Sequence, residues 1–279
     1  MLILIILLVL CFDGLTEASY EKIVALQSSI ADLWLCAGGK LTGITSDAFE
    51  RGLPIGDAAI IGTNKDPSVE AIILLQPDLV LYTPDISGQL KTAEVLGYAG
   101  ITTESVHIEG FSDYLYYLKK FTDRTGRHDL FKKNGSEVNE RIQNTIQKCK
   151  QNDKSPSVLF LRAYSTGVKA KANGHIVCEM LRDLGARNVA DSGNAFLENL
   201  SVEAILAEDP EFILITVMGQ DEEATKKYLA ATMFSQPAWS VLKANVSDHI
   251  IFLPGDLFHY NPNARWDEAY AYLADILYE

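Results

Sequence analysis

From residue 20 onward, short apolar runs alternate with longer stretches whose apolar positions recur every third or fourth residue. That rhythm belongs to βα units. Runs at 23–26, 41–45, 79–82 and 101–106 predict strands. Between them lie predicted helices at 29–37, 67–76 and 89–98. The first carries Ile30, Leu33, Trp34 and Ala37 on one face and is closed by Gly38-Gly39; the second has Asp66 as N-cap and Pro67 at its first position. Residues 47–65 read as a Gly- and Asp-rich loop. The middle of the chain carries little strand signal. It predicts one helix over 111–125 and another over 130–150, with Val138, Ile142, Ile146 and Cys149 along one stripe. The latter would be roughly 30 Å long at 1.5 Å per residue. After Pro156 the rhythm resumes, with strands at 158–161, 188–190, 212–217 and 250–253 and helices at 175–184, 201–208, 222–231 and 264–278.

The start differs from all this. Residues 2–10 are unbroken apolar and Cys11 follows. The run is too short for a membrane-spanning helix, which needs about 20 residues. Its length suits the core of an export signal, and Cys11 beside it suits lipid attachment. No Lys or Arg precedes the run, and Leu8-Val9-Leu10-Cys11 puts a bulky Leu10 where a lipid-attachment sequence carries a small residue. A buried N-terminal strand is the alternative. Export is the expectation, and no later segment is apolar enough to cross a bilayer.

Composition narrows the classes. Apolar residues are 48% and charged residues 22%, which supports a packed core and excludes disorder. The formal charge of −13 repels phosphate backbones, so no nucleic-acid partner is expected. Cys11, Cys36, Cys149 and Cys178 are scattered, which signals neither a disulfide framework nor a zinc site.

An internal repeat sets the architecture. Residues 68–83, Ser-Val-Glu-Ala-Ile-Ile-Leu-Leu-Gln-Pro-Asp-Leu-Val-Leu-Tyr-Thr, return 133 positions later as Ser-Val-Glu-Ala-Ile-Leu-Ala-Glu-Asp-Pro-Glu-Phe-Ile-Leu-Ile-Thr, identical at eight of sixteen positions. The expected fold is therefore α/β: two Rossmann-like α/β lobes joined by one long bridging helix, with a ligand cleft between them. The divisions fall at 1–19 for the hydrophobic segment, 20–127 for the first lobe, 128–152 for the bridge and 153–279 for the second lobe.

These residues carry a family likeness. Ile23-Val24-Ala25-Leu26, Ala37-Gly38-Gly39-Lys40-Leu41 and Ile61-Gly62-Thr63 belong to it, as do Pro77-Asp78-Leu79-Val80 within 70–81 and the matching run 203–214. So does the end, from Pro262-Asn263-Ala264-Arg265-Trp266 to Tyr270, as in Gram-positive members. Over about residues 20–279 the chain resembles the solute-binding proteins of ABC importers, in the single-helix-bridged group that binds iron siderophores, haem and cobalamin. The resemblance implies an extracytoplasmic monomer, secreted or lipid-anchored, that delivers a metal chelate to an ABC permease dimer. It implies no catalysis and no resident cofactor; the chelate is cargo.

The resemblance also assigns residues. Glu70 and Glu203 match the paired acidic residues, one per lobe, that dock on arginines of the permease. Each also complements the positive end of a helix, an alternative that stays open. The cleft is expected at loops following the carboxyl ends of strands. Arg51 and Arg162 are its cationic candidates, with Lys169 and Lys171 adding to the second lobe, and Tyr82, Tyr164 and Tyr260 offer flat faces. His259 is the histidine of a cleft loop, able to touch a metal chelate or remain an ordinary surface group. A ferric siderophore is favoured because cations with aromatic faces suit an anionic chelate, with haem and cobalamin next. Scattered histidines disfavour a naked metal site. Two other classes share the architecture: a ligand-presenting sensor, and a cofactor-carrying subunit like nitrogenase components. The latter needs cysteines at strand ends, whereas Cys36, Cys149 and Cys178 fall inside predicted helices. The sequence lacks GxxxxGK[ST], GxSxG and HExxH, so the usual nucleotidase and hydrolase signatures give no support.

Overall fold

The computed structural model describes residues 20–192, 201–219 and 221–278. The apolar start and Cys11 lie outside them. The first lobe comprises β1 (Ile23–Ala25), α1 (Ser28–Cys36), β2 (Gly43–Ile44), α2 (Asp47–Glu50), β3 (Ala59–Ile60), α3 (Val69–Leu75), β4 (Leu79–Tyr82), α4 (Ser87–Tyr98) and β5 (Thr103–Ser105). Its strands form one parallel sheet in the order β3-β2-β1-β4-β5. The chain steps outward from β1 in one direction, then returns to β4 on the other side, so the carboxyl end of β1 is a switch point. Ile23, Val24, Ala25 and Leu26 are all buried, as expected of a parallel strand covered on both faces.

The second lobe contains β6 (Ser157–Tyr164), β7 (Gly167–Ala170), α8 (Ile176–Asp183), β8 (Arg187–Asn188), α9 (Val202–Glu208), β9 (Phe212–Val217), α10 (Glu222–Leu229), α11 (Lys243–Val246), β10 (Ile250–Phe252), α12 (Gly255–Phe258) and α13 (Trp266–Tyr278). The numbering leaves α5 (Phe111–Thr125), α6 (His128–Phe131) and α7 (Glu137–Lys150) for the connection between lobes. The second sheet runs β10-β9-β6-β7, with β8 also paired to β6. Its one antiparallel member is β7, which folds back on β6 as a hairpin.

The repeat is a structural unit as well as a sequence one. Helices α3 and α9 each follow a serine N-cap whose hydroxyl accepts a backbone N–H, Ala71 to Ser68 at 3.2 Å and Ala204 to Ser201 at 3.3 Å. Each ends on a left-handed non-glycine residue, Gln76 or Asp209, directly before a proline. The helix expected over 67–76 thus starts two residues later, at Val69: Ser68, not Asp66, is the N-cap whose side chain accepts a free N–H.

Other boundaries move for physical reasons. The loop at 47–65 contains α2 and β3, both too short to show a period. The strand expected at 188–190 keeps only Arg187–Asn188 and turns into a 3-10 segment, Val189–Ser192. The bridge is not one regular α-helix. Between α6 and α7, Lys132–Ser136 adopt a π turn. Gly135 packs there against Leu115 and Leu118, where a Cβ would stand 3.1–3.2 Å from their methyls. Asn134 anchors the turn to the first lobe, donating to the Cys36 carbonyl at 2.7 Å and accepting from the Tyr114 hydroxyl at 2.8 Å. Beyond the turn, α7 runs against α13. The largest hydrophobic core passes without a break from Ile23 and Leu79 through Tyr114 and Ile142 to Phe160 and Trp266.

Two predictions follow from this packing. Because the bridge is clamped to one lobe by its π turn and to the other by α13, ligand binding is expected to leave the radius of gyration nearly unchanged in solution scattering. A fall of several ångströms would show that the bridge bends. The second concerns His175, the N-cap of α8, whose Nδ1 accepts the Val177 N–H at 3.2 Å and whose ring lies on Phe160. Burial, with help from the positive charges of Arg162 and Lys171, pushes its pKa down to about 3. The unfolded chain protonates near pH 6.5 while the folded one does not, so stability is complete above 6.5 and falls as pH drops toward 3. From pH 7 to pH 5 the wild type should lose about 2 kcal/mol more than His175→Asn, which keeps a cap without the titration. Equal losses in denaturant melts would remove His175 as the cause.

Candidate functional site

The carboxyl ends of the first-lobe strands are tied by two buried polar side chains. Asp47 accepts the Ser28 N–H at 2.8 Å and the Thr45 hydroxyl at 2.6 Å, which places its charge at the start of α1. Gln89 accepts the Thr83 N–H at 2.9 Å and donates to the carbonyls of Leu26 at 2.8 Å and Asn64 at 2.9 Å. Four strand-end loops, those after β1, β2, β3 and β4, are thereby held in one arrangement. Neither residue stood out in the sequence, because an Asp in a loop and a Gln on a helix carry no periodic signal.

Arg51, just past α2, is taken up in a joint between the lobes. It pairs with Asp32 and donates to the Ser29 hydroxyl at 3.0 Å and the Asn261 carbonyl at 2.8 Å. Asn263 completes the joint, donating to the Ser29 carbonyl at 3.0 Å and to Asp32 at 2.7 Å. The Tyr260 ring lies 5.2 Å from the Arg51 guanidinium carbon. A cavity of about 440 Å³ opens beside this joint, between Asp32, Glu50 and Arg51 on one side and Asp256, Tyr260 and Arg265 on the other. Asp32 escaped the sequence reading and Asn263 entered it only as part of the run that carries the family likeness, since the two partners lie 231 residues apart in the chain.

His259 caps the carboxyl end of α12, and its ring lies 4.6 Å from that of Tyr260, tilted by 34°. Its Nδ1 donates to the Val217 carbonyl at 3.0 Å, which leaves Nε2 as the lone-pair nitrogen. Burial lowers the pKa, and both Arg162 and Arg51 push it further down against the pull of the Val217 bond and Glu50. The ring is therefore neutral and feels an arginine from each lobe. Arg162, near the end of β6, rests Nε and Nη2 on the Met218 sulfur at 3.3 Å and lies over Tyr164 at 5.9 Å.

Of the sequence candidates, the structure gathers Arg51, His259 and Tyr260 into one contact chain and places Arg162 and Tyr164 beside it. Tyr82, at the end of β4, packs instead on the small first-lobe cluster of Val24, Leu26 and Val80. Trp34 and Trp266 are core residues. Cys149 and Cys178 are buried and Cys36 half-buried, all unpaired; burial raises the thiols of Cys36 and Cys178 to about 12, far from reactive. Glu70 and Glu203 stand in the first turns of α3 and α9. In both, the capping serine donates to the carboxylate, at 3.3 Å for Ser68 and 2.7 Å for Ser201. A groove of about 450 Å³ runs past Glu70 between Ser68, Lys91 and Val95.

Comparison with known proteins places this geometry. The Staphylococcus aureus high-affinity heme uptake system protein IsdE is 23% identical over 224 residues, 80% of this chain and 75% of that protein. The crystal structure of S. aureus IsdE complexed with heme superposes with a TM-score of 0.79 at 19% identity, covering 94% of this chain and 100% of that one. A Listeria monocytogenes ABC transporter substrate-binding protein gives 0.77 at 20% identity, over 93% and 99% of the two chains. The vitamin B12 binding protein BtuF of Vibrio cholerae gives 0.75 at 17% identity, over 93% and 97%. These are two-lobed binding proteins with the fold described above. Residues 23–257 match the family described as periplasmic binding protein, and with that span the chain belongs to the periplasmic binding protein family.

Proposed function

We propose that this protein is the solute-capturing component of an ABC importer, taking a metal chelate in the cleft between its lobes and passing it to a permease dimer. The observation that carries the reading is the duplicated Ser-Val-Glu unit, which sets one exposed, serine-oriented carboxylate on each lobe. Two carboxylates on a stiff frame suit a two-fold permease that offers a basic group to each. Helix-end complementarity alone accounts for each carboxylate singly, but not for the repetition of the hydroxyl that orients it. Export through residues 2–10 and tethering at Cys11 belong to the same reading; mass spectrometry is expected to find a mature N-terminus beginning at modified Cys11, and an unprocessed Met1 in the cytosolic fraction would overturn it.

For the cargo, the relatives named for heme uptake and the lone pair of His259 Nε2 put haem first. A ferric siderophore comes second, resting on Arg162 with Tyr164 and Tyr260. Cobalamin comes third, on tyrosine packing alone. Arg51 contributes through the wall it holds: its charge is matched by Asp32, and it presents the Tyr260 face to the cleft.

Replacing both Glu70 and Glu203 with Arg should abolish uptake while leaving chelate affinity nearly unchanged, because both sit away from the cleft contacts. Normal uptake by the double variant would reduce the pair to helix capping. Arg51→Met should cost about 2 kcal/mol of stability by stranding Asp32, and weaken haemin binding by loosening Tyr260. An unchanged melting curve would show that the joint is not what holds this wall.

A further inference from the structure

Where the chain leaves the first lobe, between β5 and α5, one histidine sits between two carboxylates. Val106 is buried and Ile108 packs on the main core, so the alternate residues His107 and Glu109 point outward. The His107 Nδ1 lies 2.9 Å from the Asp85 carboxylate, in the turn after β4, and Nε2 lies 3.2 Å from that of Glu109. An ionised carboxylate only accepts hydrogen bonds, and a neutral imidazole has a single N–H. The ring serves both partners only when it is protonated. Among the described residues, His107 is the one cation that pairs with either acid.

The same carboxylate reaches the second lobe. Gly174, two residues before α8, is left-handed at φ +72°, and a Cβ there would stand 3.0 Å from Glu109 Oε1. Gly110 meets α8 in the same way, with Glu179 Cγ at 3.5 Å from its Cβ position. The groups around His107 do not replace its charge. From α5, Asp113 takes the N–H groups of Glu109 and Gly110 at 3.0 and 3.1 Å, and the Tyr117 hydroxyl accepts the His107 N–H at 3.4 Å. Across the boundary, Glu179 is paired with Arg182 at 2.7 Å, and burial keeps His175 neutral. Without its proton, His107 leaves Asp85 and Glu109 as two negative charges sharing one N–H.

We propose that His107, Asp85 and Glu109 form a proton-operated brace across the lobe boundary: the charged ring holds Glu109 against Gly174, and the neutral ring lets that contact slacken and cargo leave faster. Burial lowers the pKa of His107, but the bonds and charges of Asp85 and then Glu109 outweigh it, and the net direction is upward. A pKa raised above the unfolded value near 6.5 means that the brace is complete below 6.5 and lost as pH climbs through the folded value. His175 and His259 both have lowered pKa values, so neither supplies a titration in that window. The effect on cargo rests on the capture reading; the brace itself belongs to the ligand-free chain.

The test compares the full chain with His107→Gln and Glu109→Gln at pH 6.0 and 8.5. Without ligand, hydrogen exchange is followed in peptides spanning 106–114 and 172–180 and corrected for the intrinsic pH dependence of amide exchange. Wild-type protection should fall roughly two- to fivefold at the higher pH, the size expected of half-exposed ion pairs. His107→Gln should show the lower value at both. Glu109→Gln should keep the higher value at both, because a neutral amide can donate to the unprotonated ring as well as accept from the charged one. Haemin is the cargo probe, with its dissociation followed by transfer to excess apomyoglobin. His107→Gln should release it roughly two- to fivefold faster than wild type at pH 6.0 and at an equal rate at pH 8.5. Wild-type exchange that does not step with pH, or that steps equally in His107→Gln, overturns the brace whatever haemin does. A step in exchange with unaltered haemin release overturns its control of cargo. A wild type that holds no haemin overturns the haem reading, and exchange alone then decides the brace.

Discussion

The Arg51–Asp32 pair with Asn263 is the contact on which the arrangement of the cleft depends. It joins the first-lobe helix α1 to the chain as it returns from the second lobe, through groups that have few ways of being satisfied. Asn263 is fully buried and left-handed in backbone conformation, and its amide nitrogen bonds to both Ser29 and Asp32. Removing either ionic partner leaves the other charge half-buried without its counter-ion, so the joint tolerates little displacement. Because Tyr260 rests on Arg51 and His259 on Tyr260, one wall of the cleft inherits that rigidity.

The same helix holds the bridge. Its last residue accepts the Asn134 amide, and the carbonyl of Ala37 just beyond accepts the Thr125 hydroxyl at 2.6 Å. Thus α1 meets the π turn at its carboxyl end and the returning chain near its amino end. The lobes are linked by two crossings that both anchor on one helix, with a continuous hydrophobic core behind them. A rigid frame of this kind keeps Glu70 and Glu203 at a fixed separation, which is what simultaneous docking on a two-fold partner requires.

Charge is distributed with similar economy. The first lobe spends its cleft arginine internally, against Asp32, whereas among the described residues Arg162 and Lys169 of the β6–β7 hairpin and the adjoining Lys171 form no ion pair. Burial, with Arg162 and Arg51 adding to it, lowers the pKa of His259 between them, while one nitrogen is committed to Val217 and the other is left as an acceptor. A neutral imidazole among cations contributes a lone pair and adds no further positive charge to a crowded site.

The sequence by itself determined the βα alternation, the two lobes and the paired glutamates, because each is encoded locally. Buried parallel strands need continuous apolar runs, helix faces need a 3.6-residue period, and a duplicated unit repeats its cap, its acid and its proline together. Arg162, Tyr164, His259 and Tyr260 were legible as strand-end or loop residues for the same reason. Short elements such as α2 and β3, and the π turn in the bridge, were hidden because too few residues repeat for any period to show. What only the tertiary structure decided is which charges meet. Arg51 and Arg162 read alike along the chain, yet one finds Asp32 and the Asn261 carbonyl, 210 residues away, while the other finds a methionine sulfur and an opposing lysine. Pairing of ionic groups depends on distance and desolvation in three dimensions, and neither leaves a trace in local spacing.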